Sequence, residues 1–92
     1  MSLKHYAPQT KILINRLPEK GDGLIAERNF PTPPGVVRIA SPKNLFEYAK
    51  TLYQSFEKAD SLRVKRLCIY LPDSESGIAV AIKDRVMKAA SR

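Results

Sequence analysis

The side chains able to do chemistry in this 92-residue chain are few and widely separated. His5 is its single histidine and Cys68 its single cysteine. A nucleophile and its base must come within hydrogen-bond reach, and the two residues sit in unlike surroundings. His5 belongs to a short basic and aromatic arm, Lys4-His5-Tyr6-Ala7-Pro8, ahead of the first apolar run; Cys68 lies inside the apolar run Leu67-Cys68-Ile69-Tyr70-Leu71, where a thiol is expected to be buried and inert. One of each rules out a His/Cys metal cluster. Asp73 with Glu75, and Asp84 with Arg85, read as carboxylates near a helix N-terminus and as surface charge rather than as an acid pair or a working ion pair. Gly21-Asp22-Gly23 enters a strand rather than a helix, and the phosphate loop G-x-x-x-x-G-K-[ST] is absent, so these glycines make a turn. The chain therefore carries no catalytic constellation, no metal site and no cofactor of its own, and reads as a binding or regulatory module.

The net charge of +7 raises a nucleic-acid reading, since clustered Lys and Arg make phosphate contacts that do not depend on sequence. The cations are scattered, and only Arg63, Lys65 and Arg66 crowd together. A solvated basic surface is the favoured explanation, and a small basic RNA-binding module using those three residues is the alternative. No stretch approaches the roughly 20 apolar residues of a membrane span, and the start lacks a signal-peptide core. A lone cysteine allows no disulfide within the chain and suits a reduced, cytoplasmic setting.

The elements that must position these residues follow from the apolar pattern. The length allows one domain. Short β-branched runs predict strands at residues 11–15, 24–27, 36–40 and 66–71. The eight-residue link Arg16-Leu17-Pro18-Glu19-Lys20-Gly21-Asp22-Gly23 is too short for a helical crossover, so the first two strands are expected to form an antiparallel hairpin. Ser41-Pro42 predicts a helix start, with an amphipathic helix over 42–60 whose face includes Leu45, Phe46, Tyr48, Leu52, Phe56 and Ala59. The continuously apolar fourth strand is expected at the centre of the sheet. A last helix over 78–90 buries Ile78, Ile82, Val86 and Ala89 and leaves Val80 and Met87 as a small apolar pair outside. The fold class is α/β, a small Rossmann-like sheet of about four strands with two helices.

Three segments carry a family resemblance. Lys4-His5-Tyr6-Ala7-Pro8 resembles the His-Tyr-Ala-Pro end of the interdomain linker in two-domain L-threonylcarbamoyladenylate synthases. Asn44-Leu45-Phe46-Glu47-Tyr48-Ala49-Lys50-Thr51-Leu52-Tyr53, followed by Asp60, is similar to the Glu-Tyr-Ala-x-x-Leu-Tyr helix of their accessory C-terminal domain. Residues 75–90 resemble that domain's closing Gly-Leu-Gly-x-Ala-Ile-x-Asp-Arg-Leu-x-x-Ala-Ala helix.

The resemblance implies that residues 1–10 end an interdomain linker and residues 11–92 form the accessory domain, with a catalytic YrdC-like domain absent from this chain. In such enzymes that domain converts L-threonine, bicarbonate and ATP into threonylcarbamoyl-AMP, a nucleotidyl transfer that feeds threonylcarbamoyladenosine modification of tRNA. By the same resemblance the linker closes over the catalytic cleft, with His5 and Tyr6 near the ATP phosphates. The partner is the catalytic domain of the same polypeptide, tRNA being met only indirectly. Two departures stand out: Ala79 replaces the closing motif's second glycine, and a short turn replaces the helix that family members carry between the first two strands. If those strands are nevertheless parallel neighbours, the turn must make a tight crossover. Either way one sheet face is expected to be bare, and to be covered by the catalytic domain or by a second copy in a homodimer.

Overall fold

Isoleucine, leucine and valine triplets bounded by turn residues become the strands of a small sheet. The computed structural model describes residues 8–91. In chain order the elements are β1 (Ile12–Ile14), β2 (Gly23–Ile25), β3 (Val37–Ala40), α1 (Leu45–Leu62), β4 (Leu67–Ile69) and α2 (Gly77–Ala90). All four expected strands and both helices are present; β1 and β4 are shorter at both ends and β3 at its start, while β2 begins one residue earlier and ends two earlier than expected.

The sheet runs in the order β1-β4-β2-β3 and every pairing is parallel. The expected hairpin of the first two strands is therefore wrong. β4 lies between them, with Leu67 opposite Ile12 on one side and Gly23 on the other. The reason is burial: Leu67, Cys68 and Ile69 are all fully buried, and a central position gives so apolar a strand partners at both edges. The link from β1 to β2 is a tight crossover in extended chain, for which eight residues reach roughly 27 Å, ample for a three-residue strand. It is pinned at both ends. Asn15, in a left-handed conformation, donates its amide to the Ile69 carbonyl at 2.9 Å and accepts from the Leu71 amide at 2.9 Å. Gly21 and Gly35, both left-handed, are joined by an amide-to-carbonyl bond of 2.9 Å, which ties this crossover to the turn before β3.

Side-chain alternation divides the strands between two faces. Ile12, Ile25, Ile39, Leu67 and Ile69 join Tyr48, Leu52 and Phe56 of α1 and Ile82 and Val86 of α2 in the main core. Leu24, Ala26 and Cys68 form a second cluster on the opposite face. That second face was expected to be bare, and it is closed. All three residues are fully buried beneath Leu13, Phe30, Val36 and Tyr70. The covering loop between β2 and β3 is fastened by Arg38, which makes five hydrogen bonds, to the carbonyls of Ala26, Glu27, Phe30 and Ala40 and to the Thr32 hydroxyl. The premise of a catalytic domain or a second copy seated on this face is thereby removed.

α1 begins later than Ser41-Pro42 suggested. Its cap is Asn44, whose side chain accepts from the Glu47 amide at 2.8 Å while Glu47 Oε1 accepts from the Lys43 amide at 3.1 Å. Pro42 is held outside the helix, its carbonyl accepting from the Arg28 amide at 3.0 Å. Left-handed Arg63 ends the helix. Two phase expectations fail: Phe46 is 68% exposed and Ile78 44% exposed, while Ala79 is fully buried in Ile78's stead. A shift of one residue is ~100° of helix rotation, enough to exchange the inside for the outside. Val80 and Met87 are both exposed, as expected.

Candidate functional site

The two linker residues singled out from the resemblance, His5 and Tyr6, lie outside the described residues. What is described is the point where their arm joins the domain. Pro8 is fully buried. The amides of Gln9 and Thr10 donate to Asp60 Oδ2 and Oδ1, each at 3.0 Å, and the Thr10 hydroxyl donates to Oδ1 at 2.7 Å. Asp60 belongs to the last turn of α1, where the helix dipole disfavours a carboxylate. Donors from the arm root offset that cost, so a charged side chain in an awkward place becomes a clamp on the incoming chain. The motif resemblance singled out Asp60, but nothing local in the sequence indicates a partner fifty residues away.

A second constellation lies at the amino-terminal end of β4. Asp22 is 1% exposed, and Arg66 grips it with Nη2 at 2.8 Å from Oδ2 and Nε at 3.2 Å from Oδ1. The Glu19 amide adds a bond of 2.7 Å and the Cys68 thiol approaches at 3.8 Å. Burial by itself would raise the Asp22 carboxyl; the Arg66 and Glu19 hydrogen bonds outweigh it and hold the group below its ordinary value. Arg66 also stands 3.5 Å from Glu19. Of the cations proposed as RNA contacts, Arg63 and Lys65 are exposed, but Arg66 is spent on these two acids. Sequence adjacency grouped the three, and the fold separates their roles.

The third feature is a pocket of about 380 Å³ at the carboxyl-terminal ends of β2 and β4, beside the start of α1. Open α/β sheets commonly bind ligands at such ends. Its floor is aromatic: the Phe30 and Tyr70 rings lie 4.4 Å apart, and the Tyr48 hydroxyl donates to the Tyr70 carbonyl at 2.7 Å. Burial pushes the Tyr48 phenol far above its ordinary value, so it stays neutral. Asp73 lies on the rim, whereas Asp84 turns away from Arg85 to pair with Lys88 at 3.1 Å.

The turn Gly21-Asp22-Gly23 holds a buried carboxylate, which is unlike a phosphate cradle, and at the start of α1 the Glu47 amide is taken by Asn44 and the Lys43 amide by Glu47. Among the described residues there is no cluster that could hold a metal ion and no helix long and apolar enough to cross a membrane. Cys68 is buried, and its thiol is pushed up to about 11, by burial first and then by the charge of Asp22. Such a thiol is protonated at neutral pH and a poor nucleophile.

No solved structure matches the chain. The family model described as "Threonylcarbamoyl-AMP synthase, C-terminal domain" matches residues 1–91. That span takes in the arm, the clamp on Asp60, the parallel sheet and both helices, and so the chain belongs to the family of threonylcarbamoyl-AMP synthase C-terminal domains.

Proposed function

We propose that this domain is the accessory, gating part of an ATP-dependent L-threonylcarbamoyladenylate synthase acting in threonylcarbamoyladenosine modification of tRNA, and that it is inactive alone. Its partner is the catalytic domain of the same polypeptide, which binds ATP and performs the nucleotidyl transfer in the cytoplasm. The clamp between Asp60 and the Gln9-Thr10 backbone is the observation that carries this reading. A linker that closes over a cleft needs one fixed end, since the closure is only as well placed as the point from which the arm springs. Three hydrogen bonds and a buried proline supply that fixed end, and His5 and Tyr6 stand within a few residues before it in the sequence. Their part is to help cover the reacting carbamoyl intermediate and exclude water from it.

The test uses the two-domain synthase. Threonylcarbamoyl-AMP formation is compared among the intact enzyme, its catalytic half, and the Asp60→Ala and Tyr6→Ala variants. The reading expects a loss in all three altered forms, with Asp60→Ala restored in part by Asp60→Asn, which keeps an acceptor for the arm. Equal activity in every form would end it. The RNA-binding alternative is weakened by the engagement of Arg66, and salt-sensitive tRNA binding lost on neutralising Arg63 and Lys65 would restore it.

A further inference from the structure

The pocket at the carboxyl-terminal ends of β2 and β4 has no part in the gating reading. The arm is rooted at the far end of α1, an 18-residue helix about 27 Å long, so the pocket and the linker face opposite ends of the domain. At about 380 Å³ it stands near the lower end of the roughly 300–1,000 Å³ typical of small-molecule sites, room for one ring system and a substituent.

Its chemistry is selective. The floor offers ring faces and hardly any hydrogen bonds, because its polar atoms are already used. The Tyr48 hydroxyl is taken by the Tyr70 carbonyl, and the Leu71 amide by Asn15. The Phe30 carbonyl is taken by Arg38, and the Ser74 carbonyl by Lys83 at 2.8 Å. Polar recognition is left to the rim, where the exposed carboxylates of Glu27 and Asp73 outnumber the single ammonium of Lys43. Among the lining side chains acids thus outnumber bases, in a chain of net charge +7, while Lys83 and Arg38 stand behind the lining with their donors on backbone carbonyls. At the start of α1 Asn44 takes the Glu47 amide and the Glu47 carboxylate takes the Lys43 amide, which sets a negative charge at the helix end in place of a bound anion. The Glu27 charge acts on the Arg38 guanidinium without pairing with it, and the five donors of Arg38 are all engaged, so none is left to receive a phosphate.

We propose that this pocket binds a planar nitrogen heterocycle free of phosphate, a nucleobase or nucleoside, by stacking it on the Tyr70 and Phe30 surface and accepting its ring or amino N–H groups on Glu27 and Asp73. Aromatic faces favour flat π-systems, while carboxylates favour N–H donors and repel phosphate. A phosphorylated ligand would bring its charge against the two rim acids with one lysine to offset them.

Amide chemical-shift mapping of the 92-residue chain during titration with adenosine, AMP and a short single-stranded oligoadenylate tests this. Adenosine is expected to move the amides of Phe30, Leu45, Leu71 and Ser74, and AMP to bind about fivefold more weakly at the same residues. Asp73→Asn and Glu27→Gln, both at exposed positions that leave the fold intact, should each weaken adenosine about threefold, as for one charge-assisted hydrogen bond partly replaced by water. An absence of shifts with adenosine, shifts centred on Arg63 and Lys65, AMP or oligoadenylate binding as tightly as adenosine, or indifference to both rim substitutions would each overturn it. The gating test reads activity of the two-domain enzyme after changes at the opposite end, so failure of either leaves the other standing.

Discussion

Arg66 closes both arms of its guanidinium fork on the carboxylate of Asp22, at 2.8 and 3.2 Å, and thereby fastens the β1–β2 crossover to the strand that separates β1 from β2. The Glu19 amide completes the grip at 2.7 Å. Asp22→Ala would leave that amide without its acceptor, and is expected to cost about 2 kcal/mol. For a domain of this size that lowers the melting temperature by roughly 10 °C. The pH dependence has a definite sign. A carboxyl held below its ordinary value in the folded state contributes stability that is present above the unfolded pKa, about 4, and is lost as pH falls through the lower folded value. Denaturant unfolding from pH 7 to pH 2 should therefore show a steep loss below pH 4 in the native chain, and a shallower one in Asp22→Ala. Equal slopes would exclude Asp22 as the source.

The Asp60 clamp predicts a local effect. Removing the carboxylate by Asp60→Ala deprives two amides and a hydroxyl of their acceptor, yet Gln9 is exposed and water replaces part of the loss. About 1 kcal/mol of global stability is expected to go. Hydrogen exchange at the Gln9 and Thr10 amides should accelerate far more than exchange in β4, because the arm root can open without the core. Matching acceleration in β4 would mean that Asp60 supports the whole fold rather than the arm.

Much of the architecture is legible in short stretches of sequence, and what is not legible depends on distant contacts. Residues such as Ile12, Leu13 and Ile14 announce a strand by type alone. Nothing within them reveals that β4, over fifty residues later, will take the place beside β1 that proximity assigns to β2. The position of β4 at the centre is legible, because Leu67, Cys68 and Ile69 have no polar side to turn outward. The start of α1 misleads because Ser41-Pro42 has good capping chemistry, but the Pro42 carbonyl is engaged by Arg28 across the β2–β3 loop. The bare sheet face was inferred from a missing helix. Arg38, an unremarked arginine in a strand, supplies the cover by holding a proline-rich loop in place. As for the sites, Asp60 is visible as a motif residue but its role as a clamp is not, and the pocket is assembled from three separate loops with no common signature.

Cys68 offers a chemical probe of the closed face. With its thiol pushed up to about 11, it should not react with a disulfide reagent at pH 8 in the folded chain, and should react promptly in denaturant. Because the folded value lies above the unfolded one, the native state holds this proton more tightly, so stability should decline as pH rises from about 9 toward 11. Fast labelling of the native chain would show that the Phe30 and Tyr70 cover opens.

Arg38 provides the sharpest test of how that cover is kept shut. Its five hydrogen bonds match the five N–H groups of a guanidinium, and four of the acceptors are backbone carbonyls of β3 and of the loop between β2 and β3. Burial lowers the pKa of the group while the Glu27 charge raises it, so the cation is held mainly by hydrogen-bond geometry without a close carboxylate partner. Arg38→Lys keeps the charge but replaces a planar fork with a point donor that cannot reach all five acceptors. If charge were what mattered, the lysine variant would behave as the native chain. The fork argument expects a loss of about 2 kcal/mol for both Arg38→Lys and Arg38→Met. Trypsin cleavage after Arg28, whose amide is held by Pro42 in the intact loop, should become faster in both variants, and near-ultraviolet dichroism from the Phe30 and Tyr70 pair should weaken. Native resistance to trypsin in Arg38→Lys would show that the loop is held by its prolines and the Phe30 contact instead.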